Sequence, residues 1–383
     1  MESDWVAALG LSAETAETVR EQFEHSEFRG QTYRHLPDAR HGIERGTAVV
    51  DGAVVRGFPS IPRALVLASA VEAHFDGPVT VEEKLNGYNV RVARLDGLPN
   101  EDGELSDCGE VVAFTRSGYI CPYTTRKVRD LLAPDAFFDD HPDLLLCGEL
   151  VGPENPYTAH EYPGVDSTGC YVFDVRERVS GDPRPVAERR DLCETYDLQA
   201  VPDFGTHDPA EAVEAARDAI DDLDEMGREG VVLKSADGTR QLKYTTSAIH
   251  RADLSYAFSL PFDYGRDFVF ARIVREAFQA VEFEESDADV RERARKLGEA
   301  ILPPAVETIR DVRDGRDVGE RHVVRGDRDV LEALLVHLEN VGITMRVEAD
   351  YFEDGERVVT FRKLAEATQD NVENYLDGQL LDQ

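Results

Sequence analysis

Hydrophobic and polar positions follow a strand-like pattern in the middle of the chain. Between about Pro78 and Thr246, short runs rich in β-branched and aromatic residues, such as PVTVEEK, YNVRVARL and DLLLCGELVG, are bounded by Gly, Pro and Asp. These runs predict strands, interrupted by one long helix over Pro209–Met226 and a shorter one around Thr124–Leu132. Because helices do not alternate regularly with the strands, the pattern predicts an α+β fold with antiparallel sheets and not a doubly wound one.

The flanking stretches are patterned differently. A helix around Ala13–Glu24 and a hairpin at Asp51-Gly52 precede the proline-punctuated segment GFPSIPR, which we interpret as a linker. After about Ser247 the apolar spacing predicts helices, and the charged break DVRDGRDVGER then precedes a helix, two strands and a final helix. We therefore expect an N-terminal domain over residues 1–65, a catalytic domain over 66–247, a helical domain over 248–315 and an α+β C-terminal domain over 316–383.

The helical stretch from about Asp263 to Val312 carries more apolar residues than one short helix needs against its own domain. Its first half contains Phe268, Phe270, Ile273, Val274, Phe278 and Val281, of which five fit one face of a helix. This face could pack within the chain as a cap on the catalytic core, or it could be the self-complementary interface of a homodimer. Periodicity alone favours neither interpretation.

The charge of the chain is strongly one-sided. It contains 77 acidic and 42 basic residues, a formal net charge of −35, and only six lysines: Lys84, Lys127, Lys234, Lys243, Lys296 and Lys363. At about 1 M salt the screening length is only about 3 Å, so such a surface costs little in self-repulsion. Acidity with lysine suppressed in favour of arginine therefore resembles the proteins of halophilic archaea. Each remaining lysine is informative, because arginine has replaced lysine wherever either would serve.

Cysteine spacing and hydropathy argue against several classes of protein. The five cysteines, Cys108, Cys121, Cys147, Cys170 and Cys193, are scattered and never spaced C-x-x-C, which disfavours both a zinc site and a disulfide framework. No run approaches the roughly 20 apolar residues of a membrane span, and the opening MESDWVAALG lacks the features of a signal peptide. We expect a soluble cytoplasmic protein.

The segment VEEKLNGYNVR, residues 81–91, gathers candidate chemistry around one turn. The two-residue period of a strand places Glu82 and Lys84 on one face. After a turn at Asn86-Gly87, whose glycine would let the backbone approach a ligand, the chain returns with Asn89 and Arg91 sharing a face. The spacing K-x-x-G-x-x-x-R is common by chance, so this segment alone indicates a site only weakly.

Polar and aromatic residues in later strands strengthen that indication. They are Arg116 in FTRSG, Glu149 in CGELVGPENPYT, Phe173 in YVFDV, Glu229 and Lys234 in EGVVLK, and Lys243 in QLKYT. In YVFDV, alternation places Tyr171 and Phe173 on one face and Asp174 on the other. Each residue also has a plainer explanation, since Phe173 could be core, Glu149 a solvated turn acid and Lys234 a charge at a strand edge.

In this order and spacing the segments resemble motifs I, III, IIIa, IV and V of the covalent-lysine nucleotidyltransferases, which include ligases and capping enzymes. DNA ligases of this superfamily typically read K-x-D-G-x-R in motif I, whereas K-x-N-G-x-N here looks like RNA ligases. The strings EEKLNGYNVR and GELVGPENPY, followed by a helical stretch and a small C-terminal domain, are similar to the archaeal homodimeric ATP-dependent RNA ligases. A GTP-dependent capping enzyme, a DNA ligase and a catalytically silent RNA-binding dimer are the alternatives.

The resemblance implies a role for each candidate residue. Lys84 would be the nucleophile that takes AMP from ATP, Glu82 would lie near the adenine amino group, Arg116 and Glu149 would hold the ribose, Phe173 would stack on adenine, and Lys234 and Lys243 would contact phosphates. Gly87, Asn89 and Arg91 complete the expected nucleotide-binding set, and Glu149 and Glu229 are the expected ligands of Mg²⁺ or Mn²⁺. Burial and nearby cations would favour the neutral amine of the nucleophile, a state that arginine cannot adopt.

One position departs from the family pattern. Many ligases carry a second lysine two residues after the first in motif V, and Thr245 stands there in this chain. Either Lys243 alone serves, or Arg240 or Arg251 assists.

The resemblance implies three steps: AMP moves from ATP to Lys84, then to the 5′-phosphate of an RNA end, and is finally displaced by a 3′-hydroxyl. The expected partners are therefore RNA ends, single-stranded in nature, and a second copy of the chain.

Overall fold

Antiparallel sheets form the framework of the protein in the computed structural model, which describes residues 5–100, 103–104, 109–159 and 162–380. The strands are β1 Glu24–Phe28, β2 Gln31–His35, β3 Ala48–Val50, β4 Ala53–Val55, β5 Val79–Lys84, β6 Tyr88–Leu95, β7 Glu110–Thr115, β8 Leu144–Val151, β9 Gly169–Glu177, β10 Asp203–His207, β11 Gly230–Ser235, β12 Gln241–Thr245, β13 Gly319–Gly326, β14 Met345–Glu353 and β15 Glu356–Leu364.

Helices cover or connect these sheets. They are α1 Trp5–Ala8, α2 Ala13–Arg20, α3 Leu67–His74, α4 Pro122–Leu132, α5 Asp135–Asp140, α6 Val186–Thr195, α7 Pro209–Glu225, α8 Ser247–Ser259, α9 Arg266–Glu282, α10 Asp287–Arg313, α11 Arg328–Asn340 and α12 Glu366–Leu376. The predicted long helix is confirmed as α7, which begins with proline at its first turn, where the missing N–H costs nothing. Helix α2 ends earlier than expected, because strand β1 already begins at Glu24.

Two four-stranded antiparallel sheets form the centre of the fold, so the α+β prediction with antiparallel sheets is confirmed. One has the strand order β10-β5-β11-β12 and the other β7-β6-β8-β9. Val79 and Val81 of the first sheet pack on the alanines of α7, while Val90 and Val92 of the second pack with Val128 of α4. Each sheet therefore buries one face under helices, and polar side chains of the opposite faces meet in a cleft.

The leading sheet, β1-β2-β3-β4, packs against the central region and shares a core with it. Its hairpin turn is confirmed at Asp51 and Gly52, both with positive φ, between the paired strands β3 and β4. Phe28 and Val50 of this sheet contact the same hydrophobic cluster as Phe114 of β7. The domain boundaries expected near residues 65, 247 and 315 stay a prediction.

The last third of the chain is helical and then mixed, as the apolar spacing predicts, with one difference. The stretch interpreted as a charged break contains the start of β13, which pairs with β15 in the sheet β13-β15-β14. In β13 only His322 and Val324 are buried, so most of the strand is polar and its period is weak. Leucines of α11 cover the buried face of this sheet.

No helix in the described ranges is both long and apolar enough to cross a bilayer. Four of the cysteines, Cys121, Cys147, Cys170 and Cys193, are buried free thiols. Burial raises the pKa of each of these thiols, and they behave as small core residues. Cys108 lies outside the described residues.

Candidate active site

A cleft of about 420 Å³ lies between the two central sheets and contains most of the residues singled out by the sequence. Glu82, Lys84, Lys234 and Lys243 reach it from the first sheet, and Gly87, Asn89, Arg116, Glu149 and Phe173 from the second and its loops. Glu229 joins them through a contact with Lys84, whereas Arg91 does not line the cleft. Residues from distant parts of the chain are therefore collected in one place.

Strand register explains why the first sheet presents so many charged groups. Lys84 of β5 pairs with Gly230 of β11, which in turn pairs with Thr245 of β12. One step of the period away, Glu82 pairs with Val232, and Val232 with Lys243. Because paired residues in a sheet project to the same face, these rows form the floor of the cleft.

Lys84 stands at the end of β5, where its ammonium group donates to Glu229 Oε2 at 2.6 Å. The lysine side chain is 22% exposed and the glutamate side chain 12%, so the pair is sheltered but open to a ligand. Gly230, directly after Glu229, has no room for a side chain, since a Cβ there would lie 2.3 Å from the carbonyl oxygen of Tyr244. The close packing of β11 on β12 thus holds Glu229 beside the nucleophile candidate.

Glu149 faces the same lysine from the second sheet. Its Oε1 accepts from the backbone N–H of Gly87 at 3.2 Å. Burial raises the pKa of Glu149 to about 7, and the charge of Glu229 adds to this, while Lys84 and Arg116 act in the opposite direction. Gly87 is required by packing, because a Cβ there would lie 2.1 Å from the carbonyl oxygen of Leu150.

A buried ionic cluster occupies the other end of the floor. Glu82 is 1% exposed and accepts from Arg189, and its second carboxylate oxygen lies 2.9 Å from Lys234 Nζ. Burial alone would raise the pKa of Glu82, but Lys234 and Arg189 outweigh it and hold that pKa below its usual value. Sequence reasoning missed Arg189, which lies on α6 and gave no motif signal.

Phe173 reaches the cleft by a route that simple alternation does not describe. In the pairing of β8 with β9, Cys147 faces Asp174 while the next residue, Gly148, faces Val172, so Phe173 is the extra residue of a β-bulge. Its ring packs edge-on against Phe58, with ring centroids 5.1 Å apart. Phe58 lies in the segment interpreted as a linker, and sequence reasoning missed it as a wall of the cleft.

Asn89 and Arg116 bring further polar groups to the cleft. Asn89 Oδ1 is buried, and no hydrogen-bond partner reaches it from the described part of the chain. Arg116 follows β7, and burial lowers the pKa of its guanidinium, partly offset by Glu149. Buried polar atoms normally have partners, so the Asn89 oxygen indicates a site that a polar ligand completes.

Lys243 lies at the end of the cleft where cations gather. Burial lowers the pKa of its ammonium group to about 8, and the positive charges of Arg63, Lys84 and Arg116 add to this effect. A bound anion would offset the repulsion between these positive charges and would favour the charged form of Lys243. This end of the cleft therefore suits phosphate groups.

The expectation that Arg91 binds the nucleotide is wrong. Its guanidinium is fully buried under the leading sheet and donates to the carbonyl oxygens of Arg56, Gly46 and Thr115 at 2.7 to 3.0 Å. It shares a strand face with Asn89, but it lies two residues further along β6, where the leading sheet already covers that face. Arg91 therefore holds the N-terminal segment on the central sheet.

The two arginines considered as substitutes for the second lysine of motif V point elsewhere. Arg240 is exposed and donates to Asp76 at 2.5 Å, outside the cleft. Arg251 donates to Ser247 and lies 4.0 Å from Asp224. Neither side chain lies beside Thr245.

The donor set fits a hard divalent cation bound together with a substrate. Glu149 and Glu229 offer carboxylate oxygens on either side of Lys84, and the charge of Glu229 contributes to the raised pKa of Glu149. Among the described residues no group of three or more His, Cys, Asp or Glu is arranged to hold a metal alone. Mg²⁺ is commonly held by one or two carboxylates and substrate phosphates, so this is the arrangement it prefers.

A cleft between two antiparallel sheets, with a lysine beside two acids, an aromatic ring and further cations, is the architecture of a ligase-type nucleotidyltransferase domain. Residues 77–246 match the family model described as RNA ligase, and residues 256–379 match the one described as the ligase Pab1020 C-terminal region. The chain is 40% identical over 352 residues to the uncharacterized protein MJ0414 of Methanocaldococcus jannaschii, covering 88% of this chain and 86% of that one.

Solved structures agree with the family models. Two structures of an archaeal ATP-dependent RNA ligase, called form 1 and form 2, are each 40% identical to this chain. Each match covers 98% of both chains with a TM-score of 0.88. A protein from Aquifex aeolicus, provisionally named an ATP-dependent DNA ligase, is 25% identical, with a TM-score of 0.86 over 97% of this chain and all of its own. The chain belongs to the archaeal ATP-dependent RNA ligase family.

Proposed function

We propose that the protein joins RNA ends with ATP, through AMP bound covalently to Lys84. ATP-dependent RNA ligation is the activity of the family to which the chain belongs. The observation that carries the assignment to this site is the contact of Lys84 Nζ with Glu229 Oε2 at 2.6 Å, in a cleft that Glu149, Phe173 and Lys243 also line. A silent RNA-binding protein would not need this group of buried, opposed charges.

The first step would form the lysine adduct. Lys84 loses one proton to solvent and its free amine, oriented by Glu229 Oε2 at 2.6 Å, attacks the α-phosphorus of ATP. The second amine proton leaves with the pyrophosphate. A phosphoramidate bond forms between Nζ and phosphorus, and the bond to the β-phosphate breaks, releasing pyrophosphate. Adenine would lie in the end of the cleft near Phe173 and Glu82, and the phosphates in the end near Lys243.

The later steps would use the same floor. A 5′-phosphate of RNA attacks the phosphorus of the adduct, so Lys84 leaves and a 5′–5′ pyrophosphate forms. A 3′-hydroxyl then attacks the 5′-phosphate phosphorus, the phosphodiester forms and AMP departs. Glu149 and Glu229 would hold Mg²⁺ or Mn²⁺ with phosphate oxygens, and such an ion spreads the negative charge of the reacting phosphates.

The test is incubation with α-labelled ATP and Mg²⁺, followed by denaturing electrophoresis. We expect label on the wild-type protein, labile to acid, and none on Lys84→Arg, because arginine stays protonated. Lys127→Arg is a matched control, since Lys127 pairs with Glu154 away from the cleft. Label on a peptide that lacks Lys84 would refute the assignment.

A second assay addresses the substrate. Strands with a 5′-phosphate and a 3′-hydroxyl would be offered as RNA and as DNA of the same sequence, at matched salt. The similar protein from Aquifex aeolicus is named as a DNA ligase, so this assay decides whether RNA or DNA is the preferred substrate of the present protein. Joining of RNA ends well above DNA ends supports the proposal, and a preference for DNA ends contradicts it.

We also propose that the protein is a homodimer that uses the exposed face of α9. Inward, this helix buries the polar side chains of Glu276 and Gln279. Outward it exposes Phe270, Ile273, Phe278 and Val281, which are 38 to 78% exposed. A helix that packs only within its own chain normally buries its apolar face and exposes its polar face, and α9 does the opposite. Its exposed apolar face is therefore suited to contact the same face of a second copy.

Sedimentation in about 1–2 M KCl tests the dimer. High salt screens the repulsion between two acidic chains and favours an apolar contact. We expect about twice the 42.7 kDa mass of one chain, and a monomer for Phe270→Asp. Val336→Asp, on the exposed side of α11, is the matched control and should stay dimeric. A wild-type monomer at micromolar concentration would refute the dimer and leave the ligase chemistry untouched.

A further inference from the structure

Beside the floor of the cleft lies a cation that the sequence motifs do not include. Arg63 is at the end of the segment GFPSIPR, which runs along the outer edge of β12. The backbone N–H of Lys243 donates to the carbonyl oxygen of Pro62, and that of Ala64 donates to the carbonyl oxygen of Lys243, both at 2.9 Å. These bonds add residues 62–64 to the sheet as a short parallel neighbour.

This pairing determines which way the arginine side chain points. Arg63 and Lys243 are bridge partners, and bridge partners project to the same face of a sheet. Lys243 lines the cleft, so Arg63 lies on the cleft side of the sheet, next to the lining residues and not among them. Thr245, two residues further along β12, shares that face because of the strand period.

The Arg63 guanidinium lies at the position where the family pattern has a second lysine. Its Nη1 donates to Thr245 Oγ1 at 2.6 Å. Thr245 is in the same cross-strand row as Lys84, separated from it only by Gly230, which has no side chain. The threonine therefore does not leave this place uncharged: it serves as the acceptor that holds an arginine there.

A buried network fixes the threonine in turn. Thr245 Oγ1 lies 2.7 Å from His250 Nε2, and His250 Nδ1 lies 2.6 Å from Glu276 Oε1. Arg293 donates to the other oxygen of Glu276 at 2.6 Å. With Nδ1–H donating to Glu276, His250 Nε2 accepts the hydroxyl proton of Thr245, which leaves the hydroxyl oxygen free to accept from Arg63. Burial lowers the pKa of His250, in keeping with a neutral ring.

Arg63 is also unusual in its charge environment. Most buried arginines of this acidic chain are paired, but within the described ranges no carboxylate lies within 4.0 Å of Arg63 or of its neighbour Arg275. Burial and the nearby positive charges lower the pKa of Arg275 to about 10. Glu229 and Asp253 act on Arg63 only from beyond ion-pair distance. Arg63, beside Lys243, therefore has no ion-pair partner of its own within the described ranges and can bind an anion.

We propose that Arg63 is a phosphate-binding residue of the active site and supplies the cation that other ligases carry at the position of Thr245. This inference rests on the proposed function, because the phosphate belongs either to the triphosphate of ATP or to the 5′ end of the RNA. In both cases the guanidinium donates to phosphate oxygens at the Lys243 end of the cleft.

The test measures two reactions in Arg63→Gln, Arg63→Lys and Arg240→Gln. Formation of the lysine adduct needs ATP and Mg²⁺ but no RNA, whereas transfer of AMP from the preformed adduct needs a 5′-phosphorylated RNA. Arg63→Gln should lose about tenfold or more in kcat/KM in one of the two reactions, as expected for a lost hydrogen bond to a charged group. Loss in the first identifies the triphosphate as the ligand, and loss in the second the RNA end.

The controls separate charge from folding. Arg240→Gln removes an exposed arginine just before β12 and should behave as the wild type in both reactions. Arg63→Lys keeps a cation and should lose less than Arg63→Gln, with an unchanged midpoint of thermal unfolding. Wild-type rates for a folded Arg63→Gln in both reactions, or equal losses for folded Gln and Lys variants, would overturn the inference. A wild type that forms no adduct would refute the ligase proposal itself.

Discussion

Lys234 and Lys243 lie on neighbouring strands and face the same cleft, but their surroundings are opposite. Lys234 is 2% exposed and lies 2.9 Å from the carboxylate of Glu82, which Arg189 also binds. Lys243 has no carboxylate within 4.0 Å in the described residues, and its pKa is lowered to about 8 by burial and by Arg63, Lys84 and Arg116. One end of the cleft is complete without a ligand, and the other is arranged for an anion.

This difference separates two tasks. At the Lys234 end, compensated charges hold the strands and the aromatic wall in place, so the proposed adenine site is a rigid surface. At the Lys243 end, uncompensated cations cost stability in the free protein and gain it back when phosphates bind. Ligand binding should therefore stabilise the protein chiefly through the second end.

The largest expected effect comes from removing one cation at each end. Arg189→Met leaves a buried carboxylate with one partner fewer and should lower the free energy of unfolding by about 3 kcal/mol. Lys243→Met removes a charge that burial disfavours, so its free energy of unfolding should be unchanged or higher, while adduct formation is lost. Urea unfolding of both variants at one salt concentration, with an adduct assay, measures the contrast. Equal destabilisation by the two substitutions would contradict it.

The next effect concerns the acids of the two ends and depends on pH. Burial raises the pKa of Glu149 from 4.5 to about 7. Between these two pKa values the folded protein keeps a proton on Glu149 that the unfolded chain has lost. The contribution of Glu149 to the free energy of unfolding therefore falls as the pH rises, and above pH 7 it is unfavourable by roughly 3 kcal/mol. Glu149→Gln should therefore be more stable than the wild type at pH 8 and equal to it at pH 4.

Glu82→Gln is the opposite case and serves as the control. The pKa of Glu82 is held below its usual value, so its ionised form stabilises the fold above pH 4.5 and this contribution is lost as the pH falls through the lowered pKa. The variant should be less stable than the wild type at pH 8. The free energy of unfolding of Glu149→Gln and of Glu82→Gln, each relative to the wild type, would be measured at pH 8 without ATP or divalent cations. A change of the same sign in both variants would contradict the opposite charge environments of the two carboxyl groups.

The sequence predicted the rigid framework better than the details of the site. Runs such as PVTVEEK carry β-branched residues with a two-residue period, so β5 and the faces of Glu82 and Lys84 followed from local chemistry. The prediction for Arg91 failed because the two-residue period of a strand shows which face a side chain is on, but not which other part of the protein covers that face. Strand β13 was missed because its exposed side makes most of its residues polar.

Long-range packing decides the residues that no motif indicated. Phe58 and Arg63 belong to a segment that looks like a linker, because two prolines interrupt its pattern and nothing local predicts that it pairs with β12. Arg189 lies on a helix whose sequence carries no motif, and its partner Glu82 is 107 residues away. Such contacts follow from the tertiary fold and cannot be read from spacing.

The smallest expected effect concerns Phe173, at the rigid end of the cleft. Stacking of a base on an aromatic ring contributes about 1–3 kcal/mol, so Phe173→Ala should raise the ATP concentration needed for adduct formation by roughly tenfold or more. The bulge in β9 aims this ring at the cleft, and the edge contact with Phe58 holds its orientation. Phe58→Ala should therefore raise the same concentration by a smaller factor, since it removes the support and not the stacking surface.

Thermal unfolding decides whether Phe173 acts on the ligand or on the fold. Phe173 is half-buried and its ring faces the cleft, so its loss should cost less stability than the loss of a fully buried phenylalanine such as Phe114, which is the matched control. A folded Phe173→Ala with an unchanged ATP requirement would make Tyr171 the candidate for stacking. A variant that unfolds as readily as Phe114→Ala would assign Phe173 to the core, and the rigid end of the cleft would then bind adenine without an aromatic wall.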